Sequence, residues 1–239
     1  MNQQFCQQEL EERKIIPKKY YGQVFTTDEQ VIDDLVTAIQ SVYKPGTKIV
    51  EIGGGLGYIT EKLIEEFDNV DVVEFDKHLY QILKLKVSNY ELQVLNKDIL
   101  EYEPPKEDYL LVGNIPFHIS GRLYRRFMNG LTHKPYGMVF ITDKQYATTL
   151  MGQPPRCYRV SLQAQTYGDI EIISDVPPTS VYPSPKVMMC IMKITQNETN
   201  LPENFWDTVN YHFDNFPTKE VESPKTVGLK GWIELANSS

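Results

Sequence analysis

The segment KIVEIGGGLGYITEKL, residues 48–63, decides the fold of this chain. Its apolar, β-branched beginning predicts a buried strand over 48–52, and a helical pattern starts near residue 57. Glycines at 53–55 stand between the two. Because glycine has no Cβ atom, the loop can adopt positive φ angles and let the main chain approach a ligand closely. Taken alone, the loop fits a dinucleotide, a nucleoside or only a tight turn.

Strand-like and helical patterns alternate along the rest of the chain. Apolar runs predict further strands at 71–75, 92–96, 109–113, 136–142, 158–172 and 186–194. Helices are predicted after the N-cap candidate Asp28 and over 57–67, 77–87, 119–129 and 203–214. Such alternation is typical of α/β proteins with a mostly parallel sheet. We therefore expect a domain with a seven-stranded, mostly parallel sheet over 1–195 and a short helical C-terminal appendage over 196–239.

The composition is that of a globular protein. Of the 239 residues, 41% are hydrophobic and 23% are charged, which excludes disordered and collagen-like classes. No apolar run reaches the roughly 20 residues of a transmembrane helix, and the first residues lack the apolar core of a secretory signal. Cys6, Cys157 and Cys190 are far apart, which argues against a disulfide framework and a zinc site. We expect a cytoplasmic protein with no metal and no membrane partner.

The charge balance bears on the kind of partner. The formal net charge is −8, and this speaks against a nucleic acid, because affinity for nucleic acids comes largely from neutralised phosphates. The distribution of charge matters more than its sum, however. The stretch RKIIPKKYYG, residues 13–22, carries basic side chains and no acid. Composition alone leaves both interpretations open.

Carboxylates follow the two strands after the glycine loop. Glu74 lies in the strand at 71–75, about 20 residues beyond the loop, where an acid can accept hydrogen bonds from ribose hydroxyls. Asp98 follows the strand at 92–96 and can bind an adenine amino group. Each also has a plain structural interpretation, as a solvated strand end or a turn cap. Because the carboxyl ends of parallel strands bind ligands, the set favours a nucleoside cofactor, with a dinucleotide as the alternative.

The strand at 109–113 runs into Asn114-Ile115-Pro116-Phe117. Chemistry on the exocyclic amine of adenine needs an extruded base that is held by its edge and its face. The amide oxygen of Asn114 and the carbonyl of Ile115 can accept hydrogen bonds from that amine. Pro116 fixes φ and so aims the carbonyl, and Phe117 offers a face for stacking. The alternative is a turn with a core phenylalanine.

These motifs, in this order, resemble those of the ribosomal RNA adenine dimethyltransferases, a family that includes the erythromycin-resistance methylases. The similar segments are KKYYGQVF (18–25), VEIGGGLGYITEKL (50–63), VVEFDKHL (72–79), NKDIL (96–100), VGNIPFHIS (112–120) and YRVSLQAQTYGDIEIISDVPPTSVYPSPKV (158–187). The resemblance implies a Rossmann-like class I methyltransferase fold. It further implies transfer of methyl groups from S-adenosylmethionine to the exocyclic amine of adenine in ribosomal RNA, with dimethylation expected.

The resemblance also assigns roles by position. It implies a catalytic group of Asn114, Ile115, Pro116 and Phe117. It implies that the cofactor-binding residues are Gln23, Val24, Thr26, Glu51, Gly53, Gly55, Glu74, Phe75, Asp98, Ile99 and Asn114. Glu74 is expected at the ribose and Asp98 at the cofactor's adenine amine. Phe75 and Ile99 are expected on the two faces of that ring.

Basic residues near these motifs are the predicted RNA contacts. Arg122, Arg125 and Arg126 follow the NIPF motif (residues 114–117) at the spacing of one helical face. The basic residues before the glutamine motif complete the predicted set, and they are Lys14, Lys18 and Lys19. The expected partner is ribosomal RNA or the small ribosomal subunit, bound by a monomer.

The chain also departs from the family pattern. The family's GQNFL reads Gly22-Gln23-Val24-Phe25-Thr26 here, and its Gln-Lys-Glu-like run reads Asp143-Lys144-Gln145. The C-terminal region is short, and the net charge is negative. Two alternatives therefore stand beside the main interpretation. One is a non-catalytic nucleic-acid-binding relative, similar to the mitochondrial transcription factors of this fold, and the other is a methyltransferase for another RNA or a small nucleoside.

Overall fold

The computed structural model describes residues 2–197, 199–215 and 227–238. The strands are β1 (Phe25–Thr26), β2 (Lys48–Ile52), β3 (Val70–Glu74), β4 (Gln93–Asn96), β5 (Tyr109–Asn114), β6 (Gly137–Asp143), β7 (Gly168–Val176), β8 (Val181–Tyr182) and β9 (Met189–Gln196). The helices are α1 (Gln3–Glu12), α2 (Glu29–Gln40), α3 (Tyr58–Glu66), α4 (Lys77–Lys86), α5 (Ser120–Arg125), α6 (Lys144–Leu150), α7 (Arg159–Tyr167), α8 (Phe205–Asn215) and α9 (Leu229–Asn237).

The central sheet has seven strands in the order β4-β3-β2-β5-β6-β9-β7. The first five run parallel, β9 is antiparallel to β6, and β7 is antiparallel to β9. The prediction of a mostly parallel seven-stranded sheet is therefore confirmed. Strand order reverses at β2, whose neighbours are β3 on one side and β5 on the other. Open α/β sheets bind ligands at the carboxyl ends of the strands at such a switch point.

A two-stranded ribbon joins the N-terminal segment to the proline-rich loop at 175–186. β1 pairs antiparallel with β8, and Phe25 lies opposite Tyr182. The side chain of Gln3 at the start of α1 donates a hydrogen bond to the Val181 carbonyl at 2.5 Å. Asp28, the N-cap of α2, also accepts a hydrogen bond from Ser180 Oγ at 2.7 Å. The segment before α2 is thus held in place by residues of the proline-rich loop.

Apolar side chains cover both faces of the sheet. One cluster packs the helices α1, α2, α3 and α4 against one face of the sheet, and Leu35, Ile39 and Leu63 are fully buried in it. The other lies under α5, α6 and α7, with Tyr109, Phe127 and Phe140 at its centre. Burial of apolar surface at about 25 cal/mol per Å² is what holds such layers together. No helix in the described part of the chain combines the length and apolar character that a bilayer crossing requires.

The strand predicted over 158–172 is wrong in its first half. The structure has α7 up to Tyr167, and β7 begins only at Gly168. Apolar residues at 160, 162 and 164 alternate as in a strand. The main-chain N–H of Tyr158 nevertheless donates to Ser161 Oγ at 3.1 Å, a contact typical of a helix start. The buried residues Ser161, Ala164 and Tyr167 are three positions apart, which is the spacing of one helix face.

The helix predicted over 119–129 is broken into three pieces. A 3₁₀ turn over Phe117–Ile119 leads into α5, and a π-helical segment follows over Arg126–Gly130. The helix predicted over 203–214 is found as α8. It packs with α9 on a third cluster that includes Cys157 and Leu162. Residues 216–226 of the proposed appendage lie outside the described residues, and its boundary at 195 stays a prediction.

Gly113 lets β5 approach β2 at the switch point. Its φ is +139°, and a Cβ atom there would lie 2.5 Å from the Ile52 carbonyl oxygen. Such a contact is closer than atoms tolerate, so a side chain would push the two strands apart. The next residue, Asn114, would then move away from the end of β2.

We therefore expect Gly113→Ala to lower the free energy of unfolding by about 3 kcal/mol or more, from combined backbone strain and overpacking. Gly46→Ala is the matched control, because Gly46 has φ +82° but nothing within 4 Å of a Cβ atom. Gly46→Ala should lower the free energy of unfolding only by the cost of a positive φ angle at a residue with a Cβ atom, about 1–2 kcal/mol. Urea denaturation of both variants measures the difference, and equal losses would contradict the close-approach explanation.

Candidate active site

A cavity of about 260 Å³ lies at the carboxyl ends of β2, β3, β4 and β5. It brings together most of the residues that the sequence predicted, and these are Gln23, Val24, Gly53, Gly55, Glu74, Phe75, Asp98, Ile99, Asn114, Pro116 and Arg122. Residues that sequence reasoning missed also line it, among them Tyr21, Asp76, Lys97 and His118. Their positions beside the predicted motifs were one signal in the sequence, and Asp76 also stands directly before a predicted helix.

The glycine loop holds the Glu74 carboxylate in place. The main-chain N–H of Gly55 donates to Glu74 Oε2 at 2.9 Å, and that of Asp76 donates to Oε1 at 2.7 Å. Burial raises the pKa of Glu74 to about 7, although these two N–H groups counteract it. Gly53 has φ +71°, and the nearest atom to a Cβ there would be the Asn114 carbonyl oxygen at 4.0 Å. The loop therefore leaves open space beside a fixed carboxylate.

Glu51 lies at a smaller cavity of about 30 Å³, which Thr26, Gly53 and Asn114 also line. Its Oε2 accepts a hydrogen bond from Thr60 Oγ1 at 2.6 Å. Its Oε1 is buried, and among the described residues no group donates to it. Burial raises the pKa of Glu51 to about 8, Thr60 lowers it, and the charge of Glu74 raises it further. An oxygen in this state suits a ligand that carries a cationic hydrogen-bond donor.

The other end of the larger cavity combines apolar side chains with a carboxylate. Phe75 is 52% exposed and Ile99 is buried, and both line the cavity beside Asp98. Asp98 Oδ1 accepts from the Leu100 N–H at 2.8 Å. His118 lies there too, and its pKa is lowered by burial and by Arg122, while Asp98 raises it. This end fits a planar heterocycle with an edge that can donate a hydrogen bond.

The N-terminal segment around residues 18–26 is bound to the edge of the larger cavity by hydrogen bonds to Asp76. Lys18 Nζ donates to Asp76 Oδ2 at 2.6 Å, and Gln23 Nε2 donates to the same oxygen at 3.1 Å. Burial alone would raise the pKa of Asp76, but Lys18 and the N–H of His78 hold it below its usual value. Asp76 is also the N-cap of α4, and an aspartate before a helix is the signal that could have identified it.

The NIPF motif is divided between two cavities. Asn114 Nδ2 donates to the Val24 carbonyl at 2.9 Å and to Thr26 Oγ1 at 3.2 Å. Asn114 and Pro116 line the larger cavity, and the Ile115 side chain is buried. Phe117 does not line that cavity; it borders a separate one beside α6. Because the Asn114 amide nitrogen donates both of these hydrogen bonds to the N-terminal segment, its Oδ1 is the atom left to accept.

The predicted RNA contacts do not form one set. Lys14, Lys19, Arg122 and Arg125 are exposed. Lys18 is engaged with Asp76, as described above. The guanidinium of Arg126 donates to the Tyr102 carbonyl at 2.7 Å. The main-chain N–H of Arg126 still donates to the Arg122 carbonyl, so the α-helical spacing between the two residues holds. What separates Arg126 from the exposed arginines is that its side chain is half-buried and bound to Tyr102.

A parallel sheet that ends in an antiparallel pair, with a glycine loop after β2 and carboxylates after β3 and β4 around one cavity, defines a Rossmann-like methyltransferase. The dimethyladenosine transferase from Plasmodium falciparum has the same fold, with a TM-score of 0.72 and 22% identity over 84% of this chain and 74% of that one.

The family follows from sequence similarity. The model of the ribosomal RNA adenine dimethylase family matches residues 16–223. The ribosomal RNA small subunit methyltransferase A of Hahella chejuensis is 34% identical over 188 residues, which is 74% of this chain and 67% of that protein. An rRNA adenine N-6-methyltransferase of Escherichia coli is 27% identical over 203 residues, or 84% and 80% of the two chains. The chain therefore belongs to the ribosomal RNA adenine dimethylase family.

The buried Glu51 makes a pH dependence testable. Its folded-state pKa of about 8 lies above the unfolded value, which is about 4.3. The folded state then binds the proton more tightly, and stability falls as pH rises between those two values. Glu51→Gln keeps an acceptor for Thr60 and removes this dependence. Between pH 5 and pH 8, the Tm of wild type should fall relative to the variant by at least about 2–4 °C, the effect of about 1 kcal/mol in a protein of this size.

The control for this measurement is Glu91→Gln, at an exposed position. Its Tm should follow that of wild type at every pH. Parallel curves for wild type and Glu51→Gln would show that Glu51 does not titrate in this range in the folded protein.

Proposed function

We propose that this protein transfers methyl groups from S-adenosylmethionine to the exocyclic amine of adenine in ribosomal RNA, adding two methyl groups to each target. The observation that carries the proposal is the fixed carboxamide of Asn114, which has both hydrogens engaged and its oxygen free to accept. Membership of the ribosomal RNA adenine dimethylase family supports the substrate class. We further propose that the protein acts as a monomer in the cytoplasm, on ribosomal RNA or the small subunit.

The larger and the smaller cavity, which share Gly53 and Asn114 in their linings, together present polar groups that fit S-adenosylmethionine. The unpartnered Oε1 of Glu51 suits the ammonium group of the methionine part, and the open space at Gly53 admits its chain. Glu74 would bind the ribose hydroxyls. Gln23, and the main chain of Val24 and Thr26, would close over the cofactor, with Gly55 shaping the loop beneath it.

The end of the cavity beside Phe75, Asp98 and Ile99 would hold the adenine ring of the cofactor. Phe75 and Ile99 would contact its faces, and Asp98 would accept from its amino group. When bound, S-adenosylmethionine supplies a methyl group on a sulfonium, which is a good donor. The chain's own residues then have to hold the acceptor amine in line with it.

Asn114 and Ile115 would orient the target amine. Hydrogen bonds from the amine to Asn114 Oδ1 and to the Ile115 carbonyl favour the pyramidal nitrogen of the transition state over the flat, conjugated one. Placement in line supplies much of the remaining rate acceleration. Pro116, with φ −61°, aims the carbonyl, and Phe117 stacks on the base. Asn114 is neutral and does not take the proton, which leaves to solvent.

The proposed RNA contacts are the exposed cations Lys14, Lys19, Arg122 and Arg125. Arg122 lies at the rim of the cofactor cavity, where it can hold a phosphate of the extruded nucleotide. Lys18 and Arg126, which the sequence also predicted, have intramolecular partners that phosphate would need to displace. The remaining set is small for a chain of net charge −8. The salt dependence of RNA binding should therefore be shallow, because its slope grows with the number of phosphates that the protein neutralises.

Two measurements test the proposal. S-adenosylmethionine should raise the Tm, because a ligand of the folded state stabilises it. Labelled methyl groups should be transferred to small ribosomal subunits or naked ribosomal RNA, and digestion should yield dimethyladenosine. If S-adenosylmethionine raises the Tm but methyl groups are transferred only to other RNAs or to nucleosides, the protein is a methyltransferase with a different substrate. No shift and no transfer would favour the non-catalytic alternative.

Asn114→Ala should lower kcat by about 10²–10³-fold, the usual effect of removing one preorganised hydrogen-bonding group. Cofactor affinity should fall less, by up to about tenfold, because one or two anchors of the N-terminal segment are lost. Circular dichroism and the Tm should stay close to wild type. Asn89→Ala, at an exposed position, is the control. Near-normal turnover by Asn114→Ala would contradict the role.

Thr26 is a positioning residue for Asn114, where the family pattern has leucine. Thr26→Val keeps the main chain and removes the hydroxyl, so kcat should fall about three- to tenfold while the KM for S-adenosylmethionine changes little. Thr26→Ser should restore kcat. Thr27→Val is a matched control, because Thr27 Oγ1 donates to the Ser180 carbonyl instead. An equal loss of kcat in the two valine variants would point to packing alone.

A further inference from the structure

A second cavity, also of about 260 Å³, borders the NIPF motif beside α6. It shares the motif with the cofactor cavity, since Asn114 and Pro116 line the first and Phe117 lines the second. The proposed function uses Phe117 but none of the residues across from it. Those residues are Ser120, Asp143, Gln145, Tyr146 and Thr149.

Asp143 is the charged residue in the lining of this cavity, and the cationic Arg125 lies close enough to the lining residue Tyr146 to act on it. Asp143 Oδ1 accepts the N–H of Tyr146 at 2.8 Å and caps α6. Its Oδ2 receives no hydrogen bond from the described residues. The adjacent Lys144 turns away and pairs with Asp175 at 2.6 Å, so it does not neutralise Asp143. A free carboxylate oxygen repels phosphate and selects a ligand that donates hydrogen bonds.

The cavity also offers a rigid aromatic surface. Tyr146 stacks on Tyr124, with ring centroids 5.5 Å apart and planes 20° apart, and Tyr124 is itself buried. Phe117 contributes a second ring to the lining. Aromatic rings beside polar groups are the usual surface for an unstacked nucleobase, which has flat faces and a hydrogen-bonding edge.

We propose that this cavity binds a second base of the RNA, next to the methylated adenosine. Asp143 Oδ2 accepts from an exocyclic amino group, which adenine, cytosine and guanine carry. Uracil can offer only its ring N3–H, which lies deeper in the base edge, so it should bind more weakly. The inference rests on the proposed function for the nature of the polymer, and it assigns a reading position that the methyl transfer itself does not require.

The test uses short RNAs with a central adenosine and each of the four nucleotides in turn at its 5′ and 3′ neighbours. Affinity is measured by fluorescence anisotropy on protein saturated with S-adenosylhomocysteine, and methyl transfer is measured on the same RNAs. At one of the two positions, the RNA with uridine should bind about tenfold more weakly than the RNAs with adenosine, cytidine or guanosine. That ratio is within the discrimination that base-edge contacts give.

Asp143→Asn sharpens the test. Asparagine also caps helices well, so its Oδ1 should keep the Tyr146 N–H. Its amide nitrogen then replaces Oδ2 and presents a donor where the wild type presents an acceptor. The preference against uridine should vanish or reverse. Asp108→Asn is the matched control, because it removes the same charge beside the amino end of β5, at the opposite edge of the sheet.

Equal affinity of wild type for all four bases at both positions overturns the inference, as does unchanged discrimination in Asp143→Asn or no measurable binding of any RNA. Methyl transfer without neighbour discrimination leaves the proposed function standing and removes only this inference. If binding discriminates between the neighbouring bases but no methyl group is transferred, this inference stands and the proposed methyl transfer is overturned.

Discussion

The hydrogen bonds from the Asn114 carboxamide to Val24 and Thr26 connect the parts of this protein that matter for its site. Asn114 ends β5, which lies against β2 at the switch point of the sheet. Val24 and Thr26 belong to the segment that crosses the cofactor cavity. The amide therefore sets the position of that segment, and the segment in turn sets which way the amide oxygen points.

This arrangement depends on support from distant parts of the chain. β1 is only two residues long, and its partner β8 belongs to the proline-rich loop more than 150 residues away. Gln3, Ser180 and Asp28 add hydrogen bonds to the same junction. An isolated two-residue pairing has little stability of its own. The N-terminal segment is therefore ordered by the tertiary structure, and a change in the proline-rich loop can reach Asn114 through β1.

Burial lowers the negative charge that this acidic chain places at the candidate site. Glu51 and Glu74 are buried with raised pKa values, so each carries less negative charge at neutral pH than the formal count assumes. Burial also makes both carboxyls responsive to a ligand, since a bound cation or hydroxyl replaces lost hydration. The same low polarity strengthens the hydrogen bonds within the glycine loop.

The sequence by itself determined the alternation of strands and helices, the glycine loop, the acids after β3 and β4, and the family, because each depends on local pattern and spacing. It could not determine that Lys18 pairs with Asp76 or that Arg126 turns to Tyr102, since those partners lie far along the chain. It placed a strand where α7 lies, because alternation of apolar residues over a few positions fits both periods. The cavity beside Phe117 exists only where β6, α5 and α6 meet. Contacts between distant segments depend on how the layers pack, and only the tertiary structure decides that.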